Sequence, residues 1–76
     1  MTGIVRKVIV EKHFGFIESN ENKRDYFFHR SDFKGNWDNM VSDVVGRDKI
    51  QVEFEPRDSI KGLRAADVRR VGKVLN

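Results

Sequence analysis

A chain of 76 residues has room for one domain with a small core. It contains no cysteine, so disulfide scaffolds and thiolate metal sites are excluded, and no apolar run approaches the roughly 18 residues of a membrane-spanning helix. With 15 Lys and Arg against 12 Asp and Glu the formal net charge is +3, a surplus that permits a polyanionic partner without requiring one. The opening MTGIVRKVIV alternates apolar with charged residues and carries no cleavage-site pattern, so the expectation is a soluble, cytoplasmic, monomeric protein in which residues 1–76 form a single domain.

Five segments read as strands. GIVRKVIVE is rich in Val and Ile and is interrupted by Arg6 and Lys7. HFGFIES alternates bulky with small or polar residues, and NENKR supplies a polar turn. DYFFHR is short and aromatic. Residues 31–47 have two glycines, scattered Asp and Asn, and no sustained period. They are too long for a hairpin turn and predict a long loop, with Ser31 capping one short helical turn over Asp32 and Phe33 and a second turn at NMVSDVV. KIQVEFEP then alternates cleanly, with Ile50, Val52 and Phe54 on one face, and is expected to end at Pro56. RDSIKG turns the chain, and LRAADVRRV closes it with a parity poor enough to predict a bulge. Short strands with one long connection predict an all-β fold, a small barrel whose core holds Ile17, Phe28, Ile50, Val52 and Phe54.

Residues 12–33 hold five of the six Phe, the only Tyr and both His. Side chains two apart on a strand share a face, so Phe14 and Phe16 point one way while Gly15 and Ile17 point the other; Phe27 and His29 likewise oppose Tyr26 and Phe28. Two registers are open. In one, Phe14 and Phe16 fill the core, which exposes Ile17 and Phe28 and buries His29 in need of a partner. In the other, the rings at 14, 16, 27 and 29 form one outward patch among Arg6, Lys12 and Arg30. An exposed aromatic face marks a binding surface, and single-stranded nucleic acid suits it because every base has a flat π face to stack and a phosphate for the cations.

These residues resemble the cold-shock domain family. KHFGFIES is similar to that family's first ribonucleoprotein motif, DYFFHRSDF to its second, TGIV to its first strand, GRDKIQVEFE to its fourth, and KGLRAADV to the entry of its fifth. The resemblance implies a five-stranded antiparallel oligonucleotide-binding (OB) fold barrel, with a long loop between strands three and four, that binds single-stranded RNA or DNA and acts as an RNA chaperone or post-transcriptional regulator. By position it implies stacking by Phe14, Phe16, Phe27 and His29 and cationic contacts from Arg6 and Lys12. Lys61 and Arg64 flank a turn that lies near the binding face in that family.

The departures from the family pattern also carry information. Lys7 stands where a Trp is usual, Val8 and Arg30 stand where Phe is usual, and His13 replaces a Gly. Three stacking rings are then absent, two of them replaced by cations, which implies fewer stacked bases and a larger phosphate term; the guanidinium of Arg30 still offers a flat face. Two readings of Trp37 stand: a restored ring at the platform edge, or a cover for the open end of the barrel. His13 and His29 fit no nuclease motif, no spacing suggests a metal or other cofactor, and GRDKIQ and KGLR lack the glycines of a phosphate loop, so no catalytic residue is expected. Arg69 and Arg70 read as a solvated strand end. The competing function is an OB-fold protein-interaction module with weakened nucleic-acid binding.

Overall fold

In the computed structural model, which describes residues 1–73, the alternating segments form β1 (Thr2–Ile9), β2 (Phe14–Ser19), β3 (Asp25–His29), a two-residue β4 (Phe33–Lys34), β5 (Ile50–Ser59) and β6 (Gly62–Lys73), with one helix, α1 (Trp37–Val45), between β4 and β5. The five long strands follow the order β3-β2-β1-β5-β6, and β6 returns to β3 to close a ring; β4 adds to the outer side of β6. Four of the five joints are antiparallel, but the closing pair, Phe27 with Arg64, is parallel. The five-stranded barrel expected from sequence is therefore present, antiparallel at every joint but the one that closes it. The reason is topological: directions cannot alternate all the way round a ring with an odd number of strands.

The ring closes over a core containing Val5, Ile17, Phe28, Ile50, Val52, Phe54 and Val68, with Tyr26 packed at a tilt of 52° against Phe54 at a centroid distance of 5.0 Å. Ile17, Phe28, Ile50 and Val52 have no exposed surface and Phe54 only 4%, which settles the register in favour of the outward-facing rings at 14, 16, 27 and 29. Three bulges adjust the barrel wall, one of them at Val71, between the pairs Gln51–Gly72 and Val52–Arg70. In β1, Val5 pairs with Ile17 and Lys7 with Phe16, so Arg6 is the inserted residue. In β6, Glu53 opposes Arg69 while Glu55 opposes Ala66, which leaves Asp67 and Val68 across from Phe54 and gives the irregularity that the poor parity predicted.

Three local expectations change. The long connection is not mainly loop: it contains α1, capped by Asn36, whose side chain accepts the Asn39 N–H at 3.0 Å. Trp37, Met40, Val41 and Val44 supply the i, i+3, i+4, i+7 apolar stripe that turns α1 onto the core. The β5 strand runs through Pro56 to Ser59 because its β1 partner is gone beyond Glu53; the strand is then an edge, where a missing N–H leaves no ladder incomplete. Arg70 is not a solvated strand end but donates to the Asp43 carboxylate of α1, tying helix to sheet.

Gly15 lies between the outward rings of Phe14 and Phe16 and backs onto the core. A Cβ there would stand 2.7 Å from the Lys7 carbonyl oxygen and 2.9 Å from the Phe28 ring. Gly15→Ala is expected to destabilise the fold by about 1–3 kcal/mol, as overpacking does. Urea denaturation checks this; an unchanged midpoint would mean that β1 and β2 separate freely at this point.

Candidate nucleic-acid interface

The face opposite the core is built from two rows of directly paired residues. Across the sheet run Lys7, Phe16, Phe27 and Arg64 in one row and Ile9, Phe14 and His29 in the next. Directly paired residues project to the same side, so these rows place three phenyl rings and an imidazole together. Ring centroids are 5.2 Å apart for Phe14 and Phe27, 5.8 Å for Phe14 and Phe16, and 6.1 Å for Phe16 and Phe27. Each ring is half-buried against its neighbours, which holds it in place while leaving a face to solvent.

The cations reach this face by different routes. The bulge exposes Arg6 and Lys7 side by side; Arg6 pairs with Glu18 at 3.1 Å, but both groups are solvated, so the pair is worth at most about 1 kcal/mol. Lys12 ends a 3₁₀ turn over Val10–Lys12, and His13 follows with φ +58°. The His13 carbonyl accepts the Arg30 N–H at 2.7 Å, which brings the His13 and Arg30 backbones together at one end of the face. Lys61 is exposed at the tip of the β5–β6 hairpin. Arg64 is already engaged: its Nε and Nη2 donate to both Asp32 carboxylate oxygens at 3.0–3.2 Å. Asp32 also accepts the His29 N–H at 3.0 Å, so one carboxylate fixes both the end of β3 and the Arg64 side chain.

His29, not Ser31, caps the turn Arg30–Asp32: its Nδ1 accepts the Ser31 N–H at 3.1 Å. A backbone N–H only donates, so Nδ1 carries no proton in this arrangement and Nε2 is the N–H of the ring. Ser31 could not take the cap because the helical turn begins one residue before it.

Two shallow grooves flank the rings and share Phe16. One, of about 270 Å³, is lined by Phe16, Phe27, Ser59, Lys61, Leu63 and Arg64; the other, of about 410 Å³, by Arg6, Lys7, Phe16, Glu18, Lys23 and Asp25. Lys23 and Leu63 were not among the residues expected from sequence. Lys23 sat in a segment legible only as a turn, and Leu63 in a strand of ambiguous parity. Lys61 and Leu63, two apart around Gly62, were the available signal.

Trp37 does not join the face. It is 6% exposed and packs edge-on against Phe28 at 5.9 Å and Phe33 at 6.1 Å, so its ring covers the end of the barrel from inside α1. Val8 pairs with Gly15 and packs toward the core. Of the three positions where a ring was expected to be lost, position 8 therefore points away from the face, and Lys7 and Arg30 are the two replacements that bear on it.

Residues 1–71 match the family described as the 'Cold-shock' DNA-binding domain. The chain is also similar to the Major cold shock protein of Micrococcus luteus, 36% identical over 69 residues that cover 91% of this chain and 96% of that relative. The family match over residues 1–71 takes in β1, β2 and β3, which carry the rows of rings, and most of β6.

His13 adopts a left-handed conformation that suits glycine and strains a residue with a Cβ. His13→Gly is expected to raise stability by up to about 1 kcal/mol, the relief of strain being partly offset by glycine's freedom in the unfolded chain. Thermal unfolding of the two proteins checks the sign; a lower midpoint for the variant would show that the imidazole contributes more packing than its backbone costs.

Proposed function

The chain belongs to the cold-shock DNA-binding domain family, and from that premise we propose that it binds single-stranded RNA or DNA by stacking bases on Phe14, Phe16, Phe27 and His29. Family membership supports nucleic-acid binding as such. The mode of binding is supported by one observation above the rest: three phenyl rings within 6.1 Å of one another stand outside a core that is already filled. Keeping such rings wet is unfavourable unless something covers them. A stacked base covers a ring and contributes about 1–3 kcal/mol, and every base can do so, which makes the binding tolerant of sequence.

Lys7, Lys12, Arg30 and Lys61 are exposed around the rings and meet the phosphates. With two cations in places where rings are usual, less of the affinity comes from stacking and more from charge, so binding weakens more steeply with salt than on an all-aromatic face. A footprint of about 4–8 nucleotides fits a barrel of this type. Duplexes bind more weakly because paired, stacked bases cannot present their faces. Sequence-tolerant binding of this kind suits an RNA chaperone or post-transcriptional regulator, and we take the protein to act as a cytoplasmic monomer. Among the described residues no helix is long and apolar enough to cross a membrane.

Fluorescence anisotropy of a labelled oligo-dT or oligo-U, titrated at several salt concentrations, tests the reading. Phe14→Ala and Phe27→Ala are each expected to cost about 1–3 kcal/mol of binding with little change in the slope of log affinity against log salt. No saturable binding by the wild type would direct the same surface to a protein partner instead.

Position 7 gives a sharper test, because Lys7 is paired across the sheet with Phe16. Lys7→Ala is expected to reduce the magnitude of the salt slope by up to about 0.7, the single-strand value per phosphate. Lys7→Trp should flatten the slope equally and yet tighten binding at high salt, by adding a stacked base. A folded Lys7→Trp protein that binds more weakly at every salt concentration would falsify the placement of this side chain beside the ligand.

A further inference from the structure

The geometry points to a second phosphate subsite in the groove between α1 and β1, which takes the backbone of a single strand running off the aromatic face; this rests on the binding mode proposed above. The groove, of about 320 Å³, is lined by Ile4, Val5, Arg6, Val44 and the 47–49 segment. Arg6 also lines the groove beside Phe16, so the two depressions share a wall and a cation. The sheet register explains why they meet. Ile4 pairs with Glu18 on β2 and with Gln51 on β5, and the β1–β5 ladder stops there. Continuing that register, Lys49 would oppose Arg6, but the bulge at Arg6 turns β1 aside and opens a gap beneath α1. At the usual strand spacing, the path from the β2 rings to the line of β5 is about 10 Å.

Charge complementarity supports a polyanion as the occupant. Among the described residues lining this groove, Arg6, Arg47 and Lys49 are cations and Asp48 is the acid. The partner of Arg6, Glu18, holds it through an exposed ion pair that a phosphate can replace. An independent sign comes from the backbone. The helix ends with the Gly46 N–H on the Ser42 carbonyl and the Arg47 N–H on the Val44 carbonyl. A left-handed residue at such an end is commonly glycine, yet Gly46 has φ −75° and Arg47 beside it takes φ +68°. The strained conformation therefore falls on a cation at the groove rather than on the adjacent glycine, and such strain persists where a side chain is needed. Lys23, lining the adjoining groove, is likewise a left-handed cation, with φ +61°, though no glycine stands beside it.

The test compares labelled oligo-dT of about 6 and about 12 nucleotides, both within the range of site sizes for such barrels. Extra registers on the longer strand raise its affinity whatever the mechanism, so the readout is the salt slope. The wild type is expected to show a steeper slope with the longer strand. Arg47→Gly and Lys49→Ala should each reduce the longer strand's slope by up to about 0.7 and leave the shorter strand's slope unchanged. Arg47→Gly should do so while raising the melting temperature, a combination that a purely structural arginine would not give. Equal slopes for the two lengths in the wild type, or a longer-strand slope unmoved by both substitutions while Phe14→Ala still weakens both lengths, overturns the subsite and leaves the aromatic site standing. Failure of both lengths to bind overturns the two together.

Discussion

The functional face depends on one constraint, the register between β2 and β3. Gly15 pairs with Phe28 and Ile17 with Tyr26 on the inner side, so Phe14 with His29 and Phe16 with Phe27 must pair on the outer side. Phe28 and Ile17 have no exposed surface, and moving them outward by a one-residue slip would give up several kcal/mol of apolar burial. The core therefore fixes the platform: the rings are outside because their neighbours cannot be. Closure through Phe27 and Arg64 then brings the β5–β6 hairpin alongside the rings, so that Lys61 and Leu63 share a groove with Phe16 and Phe27.

Net charge is a poor guide to this face, because several of the chain's cations, two of them on the face, are engaged within the protein. Arg6 is held by Glu18, Arg64 by Asp32 and Arg70 by Asp43. These pairs differ in how readily they can be given up. The Arg6 pair is open to solvent, whereas the Asp32 side chain is only 13% exposed and also holds the His29 backbone. A phosphate can replace Glu18 at little cost; replacing Asp32 would disturb the end of β3 as well. Arg6 is thus the more easily released of these two guanidiniums, although both were expected at the site.

The same location of cost is visible in the backbone. His13, Lys23 and Arg47 are left-handed without being glycine, and each is a basic or titratable side chain near the rings or the adjoining grooves. Asp67 is the exception, and its conformation belongs to the β6 bulge. Where the cold-shock pattern has a glycine before the first aromatic, this chain places His13 in a left-handed conformation that strains a residue with a Cβ.

How much of this could be read beforehand depends on the range of the forces involved. Strict alternation in residues 14–19, 25–29 and 50–54 is a local property of the chain, so the strands and the residues that share each face were legible from it, while the choice between the two registers is made by the burial of Ile17 and Phe28. The α1 stripe at 37, 40, 41 and 44 was equally local; it was obscured because polar residues and glycines around it suggested a loop. What sequence could not decide depended on how the chain packs and closes in three dimensions. Trp37 chose the barrel end over the platform because Phe28 and Phe33 offered it an apolar seat. Arg64 met Asp32, 32 residues away, only once β6 had closed on β3, and Arg47 and Lys49 came beside Arg6 only through the β1–β5 pairing. Alternation determines which side chains share a face, but which face turns inward and which neighbours it meets are decided by core packing and ring closure, which no local pattern encodes.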